Sequence, residues 1–163
     1  SLDNFVSYSS AIASVYEIDK YGISYANAIA MKRSIFSVTQ KLDKHQEHNS
    51  KDFQIYIDGK FKPDFVNLDK FLKNKSLKLN ISSVKTLIKG DRLSKTIALA
   101  SIISKETRDT IMRQIAIKHP SYSFENHFGY GTVKHRNAIL KNGVLKSHRK
   151  SFRPIATIYS KNI

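Results

Sequence analysis

Two aspartates in this 163-residue sequence follow apolar segments that predict β-strands. Asp58 comes directly after the segment 53–57, and Asp91 lies three residues beyond the segment 83–88. Open α/β folds place ligands at the strand ends along one edge of the sheet, and strand ends at that edge would bring the two carboxylates together. They would then repel each other unless a cation lay between them, and Mg²⁺ and Mn²⁺ prefer such oxygen ligands. The spacing fits a metal site that activates water for phosphodiester cleavage, but Asp-Gly and Gly-Asp are also common turn formers.

Two amphipathic patterns predict the helices that support these strands. In residues 23–42 the apolar positions recur at steps of three and four, which keeps them on one helix face. A longer helix is predicted at 95–118, with Pro120 just beyond its end. The apolar side chains expected to form the core face of that longer helix are Leu99, Ile102, Ile103, Met112 and Ile115.

The remaining segments complete an α/β pattern without internal repeats, read as a single domain over residues 1–163. Residues 5–15 are rich in small, β-branched and aromatic side chains and predict a strand. Residues 43–51 predict a polar loop, 64–81 a surface insertion, 121–131 another loop, and the last twenty residues a mostly irregular basic segment. Thr132 is a good N-cap for a helix to about residue 142, with Gly143 as its stop.

The charge is strongly positive, with 28 Lys and Arg against 13 Asp and Glu, a formal net charge of +15. After Glu125 there is no acidic residue but there are eight Lys or Arg. This balance favours a nucleic-acid partner, although lysine could simply be the default polar residue of this chain. The absence of cysteine excludes disulfides and thiolate metal sites. No apolar run reaches the roughly 18 residues of a membrane-spanning helix, so no membrane partner is expected.

Several ordered motifs together resemble the ribonuclease HII family, also called type 2 ribonuclease H. The longest is the segment 89–109, and Ile57-Asp58-Gly59 resembles the strand end of that family. The other matching positions are Glu17-Ile18-Asp19, His119-Pro120, Tyr122, Phe124, His127, Gly129-Tyr130-Gly131-Thr132, His135 and the segment 148–154. The resemblance spans nearly the whole chain and implies a ribonuclease H-like α/β fold, a mixed sheet flanked by helices.

The resemblance also implies roles for individual residues. Asp58 and Asp91 match two of the four carboxylates with which the family binds Mn²⁺ or Mg²⁺. Tyr130 matches the tyrosine that stacks on the sugar at a ribonucleotide–deoxyribonucleotide junction. The other predicted substrate-binding residues lie in motifs near the nucleic acid: Lys89, Thr132, Arg149 and Ser151. Asp109 matches an aspartate outside the metal-binding set and is expected to be structural.

One departure from the family is large. The first two carboxylates of the family form an Asp-Glu pair on its first strand, followed by a glycine-rich loop that senses the 2′-hydroxyl. No Asp-Glu pair occurs in these 163 residues. We therefore expect several dozen residues, including the first strands of the sheet, to be absent ahead of Ser1. The 163-residue chain is then expected to have little or no activity by itself.

The resemblance implies an endonuclease, active in the cytoplasm as a monomer. It would cleave the RNA strand of RNA–DNA hybrids, and also cut 5′ to ribonucleotides embedded in duplex DNA, leaving 5′-phosphates. The alternative is a basic nucleic-acid-binding module without catalysis, favoured by the net charge and the missing pair. A ribosome-type basic protein is a third possibility, but it leaves the acidic strand ends unexplained.

Overall fold

The computed structural model describes residues 6–43, 52–61 and 80–160. Most of the predicted loop 43–51 and of the predicted insertion 64–81 lies outside these ranges. The elements, in chain order, are helices α1 (Val15–Tyr21) and α2 (Ile23–Asp43), strands β1 (Asp52–Asp58) and β2 (Asn80–Leu87), helices α3 (Gly90–Leu93) and α4 (Lys95–Lys118), a 3₁₀ turn (Pro120–Tyr122), and helices α5 (Phe124–His127), α6 (Val133–Asn142) and α7 (Ile155–Ser160). No helix in the described ranges is long and apolar enough to cross a membrane.

Strands β1 and β2 pair in parallel, and the pairing continues to the end of both strands. Asp58 lies opposite Leu87, and the amide of Gly59 donates to the carbonyl of Leu87 at 2.8 Å. Gly59 has a φ of +97°, which a residue without a side chain adopts at low cost. Both predicted strands are confirmed, and β2 begins three residues before its predicted start at 83.

The strand predicted at 5–15 is wrong within the described residues. Residues 6–14 form no regular structure, and Val15 already begins α1. Ser14 caps that helix with a capping box, because its hydroxyl accepts from the amide of Glu17 while the Glu17 carboxylate accepts from the Ser14 amide.

Side chains of α2 donate hydrogen bonds to carbonyls of the segment 6–14: Arg33 to Ile12, Ser34 to Ser9 and Lys41 to Tyr8.

The described residues fall into two compact units. The first draws on Ser1–Ala13 and Ser24–Ile102, and the second on Ser14–Ile23 and Ile103–Ile163. The second unit has a core of five buried side chains: Ala116, Tyr122, Phe124, Ile139 and Ile155. The first unit contains the sheet, with Ile57 and Ile97 buried. The prediction of a single domain over 1–163 stays a prediction.

Helix α4 has the predicted bounds but not the predicted core face. Met112 and Ile115 pack against the core of the second unit, as expected. Leu99 and Ile102 are 43% and 60% exposed, and Ile97 is buried in their place. At 3.6 residues per turn, positions 97 and 99 point about 200° apart. The prediction of a single apolar stripe along α4 was wrong, because the first turns of α4 belong to one unit and the later turns to the other.

The later part of the chain is more ordered than predicted. Pro120–Tyr122 and Phe124–His127 form short helical turns at the start of the segment 121–131, where a loop was expected, and the first turn begins one residue before that segment. Ile155–Ser160 is helical within the terminal segment that was predicted to be mostly irregular. The predicted cap and stop of α6, Thr132 and Gly143, are both confirmed.

Candidate functional site

The two predicted metal-binding aspartates lie at the same end of the β1–β2 pair. Asp58 is the last residue of β1, and Asp91 is the second residue of α3, which follows the end of β2 by a two-residue turn. A carboxylate oxygen of Asp58, Oδ1, accepts a 2.7 Å hydrogen bond from the amide of Gly90. Both aspartates are exposed. The structure therefore brings Asp58 next to the residue that precedes Asp91, as expected for strand ends at one sheet edge.

Lys89, predicted to contact substrate, occupies the turn between β2 and α3. Its backbone is left-handed, with φ 56° and ψ 41°, a conformation that is uncommon for residues other than glycine. The carbonyl of Lys89 accepts from the amide of Arg92 at 3.0 Å, and its side chain is exposed. This strained turn lets the buried residue Gly90 point its amide at Asp58.

Replacing Gly90 with alanine is expected to destabilise the protein by about 1–3 kcal/mol. An added Cβ would lie 2.9 Å from Ile97 Cδ1, 3.2 Å from Leu87 Cβ and 3.3 Å from Asp58 Oδ1. Urea unfolding of Gly90→Ala measures the cost, and Ile97→Val, which removes Cδ1, should restore part of it in a double variant. The control is Gly131→Ala, since a Cβ at Gly131 meets nothing within 4 Å. Equal stability of the two single variants would contradict this account of Gly90.

The fit of Asp58 and Asp91 to a metal ion depends on the chemistry of their side chains and on their surroundings. Within the described ranges, no group of three or more His, Cys, Asp or Glu side chains is placed to hold a metal ion. The two carboxylates nevertheless fit Mg²⁺ or Mn²⁺ in donor chemistry, since these hard cations are often bound through one or two protein carboxylates and keep several waters. Asp58 already directs one oxygen at Gly90, which limits how its carboxylate can turn.

Tyr130 lies on an exposed loop of the second unit, where Arg108 contacts it. Tyr130 is 64% exposed, and the guanidinium carbon of Arg108 lies 4.5 Å from the centroid of its ring. Arg108 also donates to the carbonyl of Phe128 at 2.6 Å. The arginine from α4 thus makes a cation–π contact with the ring and holds the loop that carries it. Sequence reasoning had assigned Arg108 no role, because the 22-residue separation from Tyr130 leaves no local pattern.

Asp109 has the structural contacts that were predicted for it. It is 4% exposed, and its carboxylate lies 2.8 Å from the ammonium of Lys105 and 3.6 Å from the guanidinium of Arg108. The hydrogen bond from Lys105 is the main reason that the pKa of Asp109 lies below its ordinary value. These ion pairs agree with the structural role expected of Asp109.

The basic segment around Arg149 is bonded to α1 by Asp19, a residue of the matching motif Glu17-Ile18-Asp19 to which the sequence analysis assigned no role. Asp19 accepts from the amides of Lys150 and Ser151, each at 2.9 Å, and from the Ser151 hydroxyl at 2.6 Å. Partial burial opposes the charged form of Asp19, but these hydrogen bonds together hold its pKa below the ordinary value. The guanidinium carbon of Arg149 lies 4.2 Å from the ring centroid of Phe152. The hydroxyl of Ser151, a predicted substrate ligand, is thus directed at Asp19.

The imidazole rings of three histidines stack on one another next to the loop that carries Tyr130. His127, His135 and His148 are each 5–6% exposed, and the ring centroids are 4.4 Å apart for the first pair and 5.3 Å apart for the second. Burial lowers the pKa of His135. Burial and the neighbouring His135 together lower the pKa of His148 to about 4. Thr132, a predicted substrate ligand, caps α6 by accepting from the amide of His135 at 3.3 Å. All three rings are therefore packed inside the protein.

The fold and the site together define an α/β protein with carboxylates at the end of parallel strands and a basic, aromatic loop region. Comparison with protein families gives a match to the family model described as Ribonuclease HII over residues 5–155. The chain therefore belongs to the ribonuclease HII family. The α/β fold that was predicted is confirmed and is consistent with a ribonuclease H-like fold.

Individual relatives agree with this assignment. Ribonuclease HII of Staphylococcus saprophyticus is 37% identical over 158 residues, covering 96% of this chain and 51% of that protein. Ribonuclease HII of Zymomonas mobilis is 36% identical over 158 residues, covering 97% and 64%. Ribonuclease HII of Wolbachia pipientis wMel is 35% identical over 145 residues, covering 89% and 61%. The chain thus spans about half to two-thirds of the length of these curated relatives.

Proposed function

We propose that the protein is a metal-dependent endonuclease that cleaves the RNA strand of RNA–DNA hybrids and cuts 5′ to ribonucleotides embedded in duplex DNA. The products would carry 3′-hydroxyl and 5′-phosphate ends. The observation that carries the proposal is the pair of aspartates at one sheet edge, linked through the hydrogen bond from Gly90 to Asp58, in a chain of the ribonuclease HII family. The enzyme would act in the cytoplasm as a monomer.

Asp58 and Asp91 are the residues that would hold Mn²⁺ or Mg²⁺. The bound ion would supply an activated water and stabilise the charge that develops on the phosphate. Asp58 contributes a carboxylate whose orientation is set by the amide of Gly90. Asp91 contributes a second carboxylate from the first turn of α3. These are two of the four carboxylates that we assign to the complete site, so the 163-residue chain alone would cleave slowly or not at all.

Residues of the second unit would bind the duplex. Tyr130 offers an exposed ring for stacking on a sugar, and Arg108 supports it from α4. Arg149 is half-buried against Phe152 and adds positive charge next to Ser151. Thr132 of this unit is exposed and is a further proposed contact to the nucleic acid, and so is the exposed Lys89 of the first unit. The net charge of +15 supports phosphate binding along the substrate.

A cleavage assay tests this function. The protein translated from the complete reading frame is incubated with a DNA duplex that carries one ribonucleotide, with Mn²⁺, Mg²⁺ or chelator. We expect cutting 5′ to the ribonucleotide that depends on the metal, and little cutting by the 163-residue chain alone. Absence of metal-dependent cutting by the longer protein would overturn the proposal. Efficient cutting by the 163-residue chain would overturn the assignment of two further carboxylates.

The second candidate is a nucleic-acid-binding protein without catalysis. The sequence feature that favours it is the net charge of +15 in a chain that contains no Asp-Glu pair. The two candidate functions predict different sequences upstream of Ser1 in the reading frame. An Asp-Glu pair encoded upstream and in frame favours the nuclease, whereas its absence favours binding alone.

Binding of the duplex is expected to depend steeply on salt. If four or more phosphates are contacted, affinity should fall by at least about a hundredfold between 50 and 200 mM salt, because condensed counterions are released on binding. Fluorescence anisotropy of a labelled hybrid at several salt concentrations measures the slope. Arg149→Ala should reduce the magnitude of that slope by about one, as expected for the loss of one phosphate contact. An Arg149→Ala slope equal to the parent slope would remove this residue from the phosphate contacts.

A further inference from the structure

The hydrogen bonds around His135 and His148 fix where each ring carries its proton. The amide of Leu145 donates to Nδ1 of His148 at 2.8 Å, so this nitrogen cannot carry a proton. The proton of neutral His148 must then lie on Nε2, which is 3.1 Å from Nε2 of His135. Nε2 of His135 therefore accepts a hydrogen bond from Nε2–H of His148. The proton of neutral His135 lies on Nδ1, which donates to the carbonyl of Tyr130 at 2.9 Å. The bonds thus form a directed chain from Leu145 to Tyr130.

Both backbone polar groups of Tyr130 are bonded inside the protein. Its carbonyl accepts from His135 and also from the amide of Thr132 at 2.8 Å. Its amide donates to the carbonyl of His127 at 2.8 Å. The residue as a whole is nevertheless 64% exposed. The hydrogen-bonded backbone preorganises Tyr130, whose ring is exposed to a binding partner. Tyr130 therefore loses little conformational freedom when a partner binds.

We propose that His135 and His148 are positioning residues, whose chain of hydrogen bonds to the Tyr130 carbonyl holds the Tyr130 ring in place for the sugar of the substrate. This inference rests on the proposed function in one respect, namely that Tyr130 contacts the nucleic acid. Neither histidine touches the substrate. Both act through Tyr130, and both must be neutral, since a proton on each Nε2 would place two donors against each other.

Two uncharged replacements of His135 separate its two hydrogen bonds. His135→Asn keeps a side-chain nitrogen at the position of Nδ1 and can still donate to the Tyr130 carbonyl. His135→Gln places its amide at the position of Nε2, towards His148, and loses the bond to Tyr130. Tyr130→Ala sets the scale, since the loss of one stacking ring weakens binding by about fivefold to 150-fold.

The experiment measures affinity for a duplex with one embedded ribonucleotide, in the parent protein and in these variants. We expect His135→Gln to lose most of the affinity that Tyr130→Ala loses, and His135→Asn to stay within about threefold of the parent. In the Tyr130→Ala background, His135→Gln should cause no further loss. A purely structural role would weaken binding equally in both backgrounds, and equal losses there would overturn the proposal.

A second measurement does not depend on substrate. Nitrogen-15 NMR of the imidazole side chains should show the proton of His135 on Nδ1 and that of His148 on Nε2 at pH 7. The reverse assignment in either ring would overturn the chain of hydrogen bonds, even if binding behaved as expected. If Tyr130→Ala binds like the parent, the proposed contact of Tyr130 fails and the positioning role fails with it. In that case the NMR result still decides whether the hydrogen-bond chain exists.

Discussion

Asp58→Asn is expected to reduce metal-dependent cleavage by at least about a hundredfold in the protein translated from the complete reading frame. The change removes one negative charge from the proposed metal site. The fold should survive, because the amide oxygen of asparagine can still accept the hydrogen bond from Gly90. Initial rates at several Mn²⁺ concentrations measure the loss, and calorimetric titration with Mn²⁺ measures metal affinity separately from catalysis.

Asp109→Asn is the matched control, since it makes the same chemical change on α4. Asp109 pairs with Lys105 and Arg108, so its loss should lower the free energy of unfolding and leave the rate per folded molecule close to that of the parent. Cleavage by Asp58→Asn at the parent rate would show that this carboxylate does not hold the catalytic ion. A greater loss of rate in Asp109→Asn than in Asp58→Asn would reverse the roles that we assign to the two aspartates.

Acid is expected to lower the free energy of unfolding by about 3 kcal/mol between pH 6.5 and pH 4, because of His148. Burial lowers the pKa of this histidine from 6.5 to about 4 in the folded protein. Below pH 6.5 the unfolded chain therefore binds a proton that the folded chain does not. The stabilisation is fully present above pH 6.5 and is lost as the pH falls towards 4. The ionisable groups that face His148 are His135, His119 and Tyr122.

Urea unfolding at half-unit pH steps measures this dependence. The lowered pKa of His135 acts in the same direction, whereas Asp19 and Asp109, whose pKa values lie below 3.8, contribute only at lower pH. His148→Gln cannot titrate and should flatten the profile, at a lower stability near pH 7. A His148→Gln profile as steep as that of the parent would show that another group binds the proton.

Local sequence patterns predicted the three longest helices of the described ranges, α2, α4 and α6, and both strands. The bounds of α4 match its prediction, and α2 ends within one residue of it, because apolar periodicity and a following proline are properties of the segment itself. The failure at 5–15 has a local cause too. Its β-branched and aromatic side chains favoured a strand, while the capping-box spacing of Ser14 and Glu17 marked the start of a helix.

The contacts that organise the site were not predictable in this way. The hydrogen bond from Gly90 to Asp58 joins residues 32 positions apart, and the bond between His135 and His148 depends on how α6 and the following turn pack. The sequence indicated that Asp58 and Asp91 belong at strand ends. It contained no periodic signal for Asp19, whose partners lie more than 130 residues further along the chain.

The contact between Asp19 and Ser151 has a consequence for how the protein is made. Helix α1 has only seven residues and none of them is buried, so it is too short to persist as an isolated helix in water. Its partners at Lys150 and Ser151 are synthesised 131 and 132 residues later. At about 5–20 residues per second, this delay on the ribosome is roughly 7–26 s. The contacts between α1 and the basic segment therefore form only after Lys150 and Ser151 have been synthesised, more than 130 residues after Asp19.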